Sequence, residues 1–308
     1  MTPIPKEPPL DAEANCIGPL FPDLVVAPQK KQRRYKRVQE AIWTENKAKF
    51  IQQYLRIFVQ ITKHGAYIDG FAGPQYYDQL DSWAAALVLG SEPKWLRHFF
   101  LCELKPKGVA ALQKLQQEQS GLRDRKGHKI HRNIEVWAGD FNQNVEKILG
   151  GGKITQKEAT FCLLDQRTFE CHWSTVQKLA AYKAPPNNKI ELLYFLGVGW
   201  LHRAFSGVRR LELLEKWWGG KDYGALKGMG THDIADLIRQ RFQNELGYKY
   251  TAAYPIFDKN WGNRIMYYMI HASDHGEAPA LMVRAHRRAV RALPPQIQRP
   301  FDFGNQDV

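Results

Sequence analysis

Hydrophobic and polar positions change period several times along this chain, and each change marks an element. Between residues 43 and 61 the apolar residues Ile51, Tyr54, Leu55, Phe58 and Ile61 recur at steps of three and four. They therefore share one face of a helix, which Gly65 ends. Residues 66–68, 97–103, 134–140, 159–165 and 189–196 are short, mostly apolar runs, the pattern of strands buried on both faces of a parallel sheet. Helices are expected between them, over residues 83–89 and 106–119 and around Trp173, Val176 and Leu179. Two further strand-like runs, 248–257 and 264–270, are separated by a connection too short for a helical crossover, so they must pair antiparallel.

The first four of these runs end on or just before an acid, Asp69, Glu103, Asp140 and Asp165. Residues 66–75, Ala-Tyr-Ile-Asp-Gly-Phe-Ala-Gly-Pro-Gln, place Asp69 at a strand's carboxyl end, with Gly70 and Gly73 where backbone turns and approaches a ligand and Phe71 between them. Gln75 stands where a third small residue is common, which leaves the packing of the following helix less assured. Glu103 ends the next strand, where a carboxylate accepts ribose hydroxyls; its alternative role is a helix N-terminal charge. Asp140, followed by Phe141, ends the third and suits an adenine amino group and ring. The expected fold is therefore α/β, a class I methyltransferase (Rossmann-like) seven-stranded sheet closed by a C-terminal antiparallel hairpin. A dinucleotide dehydrogenase would instead end on a parallel strand. The expected cofactor is S-adenosylmethionine.

Charge adds a partner to this picture. The 308 residues carry 44 Lys and Arg against 31 Asp and Glu, a formal +13, and a pI near 9.5. Nucleic acid, DNA or RNA, is the expected polyanion, the other reading being a surplus that serves solubility without a partner. Residues 30–37, Lys-Lys-Gln-Arg-Arg-Tyr-Lys-Arg, form a basic cluster at the end of a proline-containing arm, residues 1–37. A methyltransferase-like domain is expected over 38–292, with a helical insertion at about 200–246 and a tail at 293–308. The insertion interleaves Arg203, Arg209, Arg210, Trp217, Trp218, Lys221, Tyr223, Lys227, Arg239 and Arg241. It reads either as a surface that stacks bases and grips phosphates or as a helical lid whose tryptophans form its own core. No apolar run reaches membrane-spanning length and no secretory signal is evident, so a soluble, cytoplasmic protein is expected. Cys16, Cys102, Cys162 and Cys171 lack metal-ribbon pairing and read as reduced thiols.

Three blocks carry a family resemblance: residues 67–74, residues 164–173 (Leu-Asp-Gln-Arg-Thr-Phe-Glu-Cys-His-Trp), and residues 266–275 followed by Ala278 and Pro279. Over roughly residues 43–293 the chain resembles the three-Cys-motif partner family, TcmP, bacterial proteins with a class I methyltransferase-like fold. The resemblance implies a companion protein bearing the cysteine triad, of radical-S-adenosylmethionine type. This chain has no such triad, as befits the partner.

Catalytic candidates come from the end of the fourth strand, which in this fold faces donor and acceptor. Asp165 is expected to position or deprotonate a nucleophile, Gln166 to read it by hydrogen bonds, and Phe169 or Trp173 to form a stacking wall, core packing on its own helix being the other reading of Trp173. The paired prolines of enzymes that methylate exocyclic amino groups are absent here. A catalytically degenerate module that assembles with the cysteine-motif protein and nucleic acid is the alternative. His271, Asp274, His275 and Glu277 are expected to follow the last strand, with Asp274 capping the final helix rather than binding a metal. Arg284, Arg287, Arg288 and Arg291 make that helix basic along one side.

Overall fold

The computed structural model describes residues 42–43, 47–77, 80–124, 126–207, 211–257 and 265–291. Among these residues eight strands form one sheet: β1 (Ile42–Trp43), β2 (Ala66–Asp69), β3 (His98–Glu103), β4 (Asn133–Ala138), β5 (Thr160–Leu164), β6 (Glu191–Leu196), β7 (Tyr250–Phe257) and β8 (Ile265–Ser273). Their order across the sheet is β1-β7-β8-β6-β5-β2-β3-β4. β2 to β6 run parallel, and β8 lies antiparallel between β6 and β7. The seven strands β2 to β8 thus have the class I methyltransferase arrangement. β1 adds a two-residue parallel edge on β7, so the expected first helix starts at Lys47 and not at Trp43.

Strand alternation divides the apolar side chains between two layers. Tyr67, Phe99, Leu101, Phe161 and Leu193 face one core, shared with α1 (Lys47–Thr62), α2 (Ala84–Gly90), α3 (Pro106–Ser120) and α9 (Ala278–Arg291). Ile68, Phe100, Cys102, Cys162 and Leu192 face the other, shared with α4 (Phe141–Gly150) and α5 (Trp173–Ala181). The insertion consists of α6 (Val198–Gly207), α7 (Leu211–Trp218), a short 3-10 turn (Asp222–Leu226) and α8 (Thr231–Asn244). Leu201, Leu214, Trp217, Leu226, Ile234 and Phe242 join that second core, so the insertion is part of the packed layer.

β2 has β3 on one side and β5 on the other. The crossovers leaving β2 and β5 therefore part in opposite directions, opening a crevice at the strands' carboxyl ends where open α/β sheets take ligands. The arm, its basic cluster at 30–37, Cys16, Arg209, Arg210 and the tail at 293–308 lie outside the described residues.

Candidate functional site

The chain leaves β2 through Asp69, which is 1% exposed. Tyr67 Oη donates to its Oδ2 at 2.9 Å and the Phe71 amide to its Oδ1 at 3.2 Å. Burial pushes this carboxyl up to about 7; the Tyr67 bond opposes that rise, and the charge of Asp165 adds to it. The loop then runs beside Glu103 at closest range. The Gly73 amide donates to Glu103 Oε2 at 2.9 Å, and the Lys105 amide to Oε1 at 2.8 Å. A Cβ on Gly73 would lie 2.0 Å from Glu103 Oε2, and one on Gly108, in α3, 2.6 Å from its Cγ. Two glycines therefore cradle one carboxylate. Its remaining lone pairs can still accept bonds from a ligand.

One cleft opens beside this carboxylate. Gly70, Phe71, Glu103, Leu104, Asp140 and Phe141 line it, with Arg167 and Glu170 across. Asp140 caps α4, its Oδ1 accepting from the Asn142 amide at 2.9 Å. Phe141 is 2% exposed and lies under Gly70, whose Cβ would come within 2.8 Å of the ring. It serves as floor more than as stacking partner. Leu104, 65% exposed, is the free apolar surface of the cleft.

A second cleft lies across the same loop and shares Phe71 and Arg167 with the first. Asp69, Asp165, Trp83, Phe195 and Tyr267 line it, and so does Lys47. Lys47 Nζ lies 2.9 Å from Asp165 Oδ1 and 2.8 Å from Oδ2, with the Phe195 and Tyr267 ring centroids 5.6 and 5.3 Å away. Burial pulls the pKa of this amine down; the Asp165 carboxylate, through its charge and its hydrogen bond, with Tyr267 and Asp69 beside it, outweighs that and holds the ammonium form. A cation, two carboxylates and aromatic walls thus meet where the first cleft ends.

No protein-family profile matches the chain, and no curated protein does. Solved structures that resemble it include the CurJ carbon methyltransferase, with TM-score 0.43 and 11% identity over 73% of this chain and 54% of that one. The chain thus spans about half the length of that structure. A protein from Legionella pneumophila gives TM-score 0.43 and 10% identity over 78% and 89% of the two chains. A candidate rRNA-methylase from Clostridium thermocellum gives 0.34 and 13% over 71% and 94%. At such values the strand order above, and not these likenesses, defines the fold.

The crevice brings together Asp69, Gly70, Phe71, Gly73, Glu103, Asp140, Phe141, Asp165 and Gln166. Gln166 is 1% exposed and its amide is already engaged: Nε2 donates to the Phe195 carbonyl at 3.0 Å, and Oε1 accepts from the Cys171 amide at 2.8 Å. Phe169 is not brought in. Its ring packs edge-on against Trp217 at 5.1 Å, in the core under the insertion. Trp173 is likewise interior, donating from Nε1 to Glu245 Oε2 at 3.1 Å. Trp173 thus takes its core-packing reading, and the wall expected from Phe169 is replaced in the second cleft by Trp83, Phe195 and Tyr267. Gln75 lies in a long loop well before α2 begins at Ala84, so no close helix packing is asked of it.

Of the two readings of the insertion one is selected, and one further expectation is corrected. Trp217 and Trp218 are 2% and 6% exposed and cannot stack on bases; the Arg241 guanidinium lies 4.0 Å over the rings of both Trp173 and Trp218 while pairing with Glu245. The insertion's tryptophans are its own core. His271 sits inside β8, not after it, and Asp274 is no helix cap: its carboxylate accepts from the Lys189 and Lys249 amides at 3.2 and 3.1 Å. Among the described residues no cluster could hold a metal, and no helix is long and apolar enough to cross a membrane.

Lys47, Arg167, Leu104 and Gly108 are the residues that sequence reasoning missed. Lys47 left one signal, standing four residues before Ile51 at the head of the apolar stripe of α1.

Proposed function

We propose that this protein is an S-adenosylmethionine-dependent methyltransferase whose acceptor is a nucleic acid. The observation that carries this reading is the pair of contiguous clefts at the switch point of a methyltransferase-type sheet, one edged by Glu103 and Asp140, the other by Asp165 and Lys47. The residues fit the cofactor: Gly73 and Gly108 leave room for Glu103 at backbone distance, and a Cβ at either would close the cradle. Bound, S-adenosylmethionine supplies an already activated methyl group, so that alignment provides much of the acceleration.

In this reading Glu103 accepts the ribose hydroxyls, Asp140 the adenine amino group, and Leu104 covers the base. Asp69 faces the amino group of the methionyl part, and its ionised form favours that cation. Asp165 orients the acceptor, or takes its proton, and Lys47 fixes the carboxylate's direction and holds its charge. Trp83, Phe195 and Tyr267 exclude water around the acceptor. The formal +13 and the basic segment at 30–37 support a polyanionic acceptor.

Calorimetric titration with S-adenosylhomocysteine tests the cofactor half. Binding that fails in wild type, or survives Glu103→Ala undiminished, would overturn it. Transfer of labelled methyl to DNA or RNA tests the other half.

A second reading is a binding module that assembles with a cysteine-motif protein of radical-S-adenosylmethionine type, the partner implied by the TcmP resemblance. It is favoured by the engagement of Asp165 with Lys47 and of the Gln166 amide with backbone. Co-purification with that partner, with no methyl reaching nucleic acid or partner, would select it.

A further inference from the structure

The opposite end of the sheet holds a separate cavity of about 180 Å³. It lies at the amino ends of β5 and β6, between the second half of α1 and the start of α9. Phe58, Ile61, Ala278 and Leu281 give it an apolar wall, and Ile61, 47% exposed, stands at the rim. Two buried charges, Glu191 and Lys183, face it from the sheet side.

These charges are not equally satisfied. Glu191 accepts from Tyr54 Oη, from His271 Nε2 at 2.8 Å and from Ser273 Oγ at 3.1 Å, so three donors surround one carboxylate. Lys183 is 5% exposed, and its Nζ donates only to neutral oxygens, the Glu158 carbonyl and Thr160 Oγ1. Among the described residues no carboxylate lies within ion-pairing distance of it. Glu158 turns its own carboxylate to His64 Nδ1 at 3.1 Å, and Lys189 on the far wall is held by Asp274. An ammonium has three donors, and the third has no partner among the described residues.

A buried cation without a counter-ion is expensive, and the ligand that removes the expense brings one negative charge on an apolar body. We propose that this cavity binds a small organic monocarboxylate, its carboxylate on Lys183 Nζ and its hydrocarbon against Phe58, Ile61 and Leu281. The cavity shares no lining residue with the two clefts described above. Burial pushes the Lys183 amine down to about 8, against the charge of Glu158; a bound carboxylate reverses this, so binding near pH 8.5 takes up a proton. Tyr54, Lys157, Glu158, Lys189, Glu191 and His275 are the other titratable groups facing the cavity.

Calorimetry and thermal shift with acetate, butyrate and octanoate, against butanol, butylamine and inorganic phosphate, test the proposal on the full chain. Affinity should rise with hydrocarbon length, and butanol and butylamine should bind at least about tenfold more weakly than butyrate. Lys183→Met should weaken octanoate at least about tenfold while Lys183→Arg retains it. Titration in buffers of different ionisation enthalpy should show proton uptake, a readout that needs no variant if Lys183→Met fails to fold. No binding at millimolar ligand, equal affinity for butanol, phosphate binding tighter than octanoate, absence of proton uptake, or octanoate binding unchanged in a folded Lys183→Met protein would each overturn it.

Discussion

Lys47 Nζ lies 2.8 Å from Asp165 Oδ2, joining the first turn of α1 to the residue that follows β5 across 118 positions of sequence. Their side chains are 15% and 17% exposed. The pair therefore stands between a surface bridge, worth little, and a buried one whose breakage strands a charge. It also fixes where negative charge sits beside the cleft edged by Glu103.

Lys47→Met should destabilise the fold by about 1–3 kcal/mol, because Asp165 is left without its counter-ion in a partly desolvated pocket. The Lys47→Met, Asp165→Leu double variant should recover part of that loss. Urea unfolding of the four-protein cycle measures the coupling. Additive losses would show that the pair is structurally idle.

Gly73→Ala should weaken S-adenosylhomocysteine at least tenfold, about 1.4 kcal/mol, because the new methyl would stand 2.0 Å from Glu103 Oε2 and must displace it. Gly121→Ala, with open space around its Cβ, is the matched control. Calorimetry on both separates a displaced carboxylate from a general glycine effect.

Asp69 gives the pH dependence a definite sign. Its folded carboxyl is raised to about 7, whereas an unfolded one titrates near 3.9. The native state then holds the extra proton, and this stabilisation, on the order of 4 kcal/mol, is complete below about pH 4 and is lost as pH rises through about 7. Asp69→Asn should abolish this part of the slope and raise stability at pH 8, read by thermal unfolding across pH. Ligands that carry an amino group beside Asp69 should bind more weakly below pH 7 and release a proton on binding.

Trp217→Ala should cost stability, about 3–5 kcal/mol, and not single-strand affinity in particular, because its ring is buried against Phe169 and Trp218. Denaturant unfolding and filter binding on the same protein separate the two. Loss of single-strand binding at unchanged stability would contradict the packing.

Nucleic-acid affinity should fall with salt, and alanine at Lys30, Lys31, Arg33 and Arg34 should flatten the log-log slope by about 0.7 to 0.9 for each phosphate contact removed. A filter-binding series in rising salt checks this. An unchanged slope in the four-alanine protein would remove the basic segment from the interface.

Much of the fold was legible because local pattern encodes it. Continuous apolar runs such as Phe99–Phe100–Leu101 announce strands covered on both faces, and the short connection before Ile265 forces an antiparallel pair whatever the rest of the chain does. Asp69, Glu103 and Asp140 were legible for the same reason, since an acid that closes a parallel strand is carried to the crevice by the strand itself. Which aromatics would line the second cleft was not legible. Phe169 and Phe195 each stand near a strand's carboxyl end, yet the insertion packs over the first and leaves the second beside Lys47. Trp217 and Trp218 carry the composition of a binding surface and the burial of a core, and only the fit of α7 and α8 against the sheet chose between them. Lys47 belongs to Asp165 for no reason written near either residue. Period and spacing describe what a segment does along its own axis; the direction of a side chain at an element's end is set by whatever the rest of the fold packs against it.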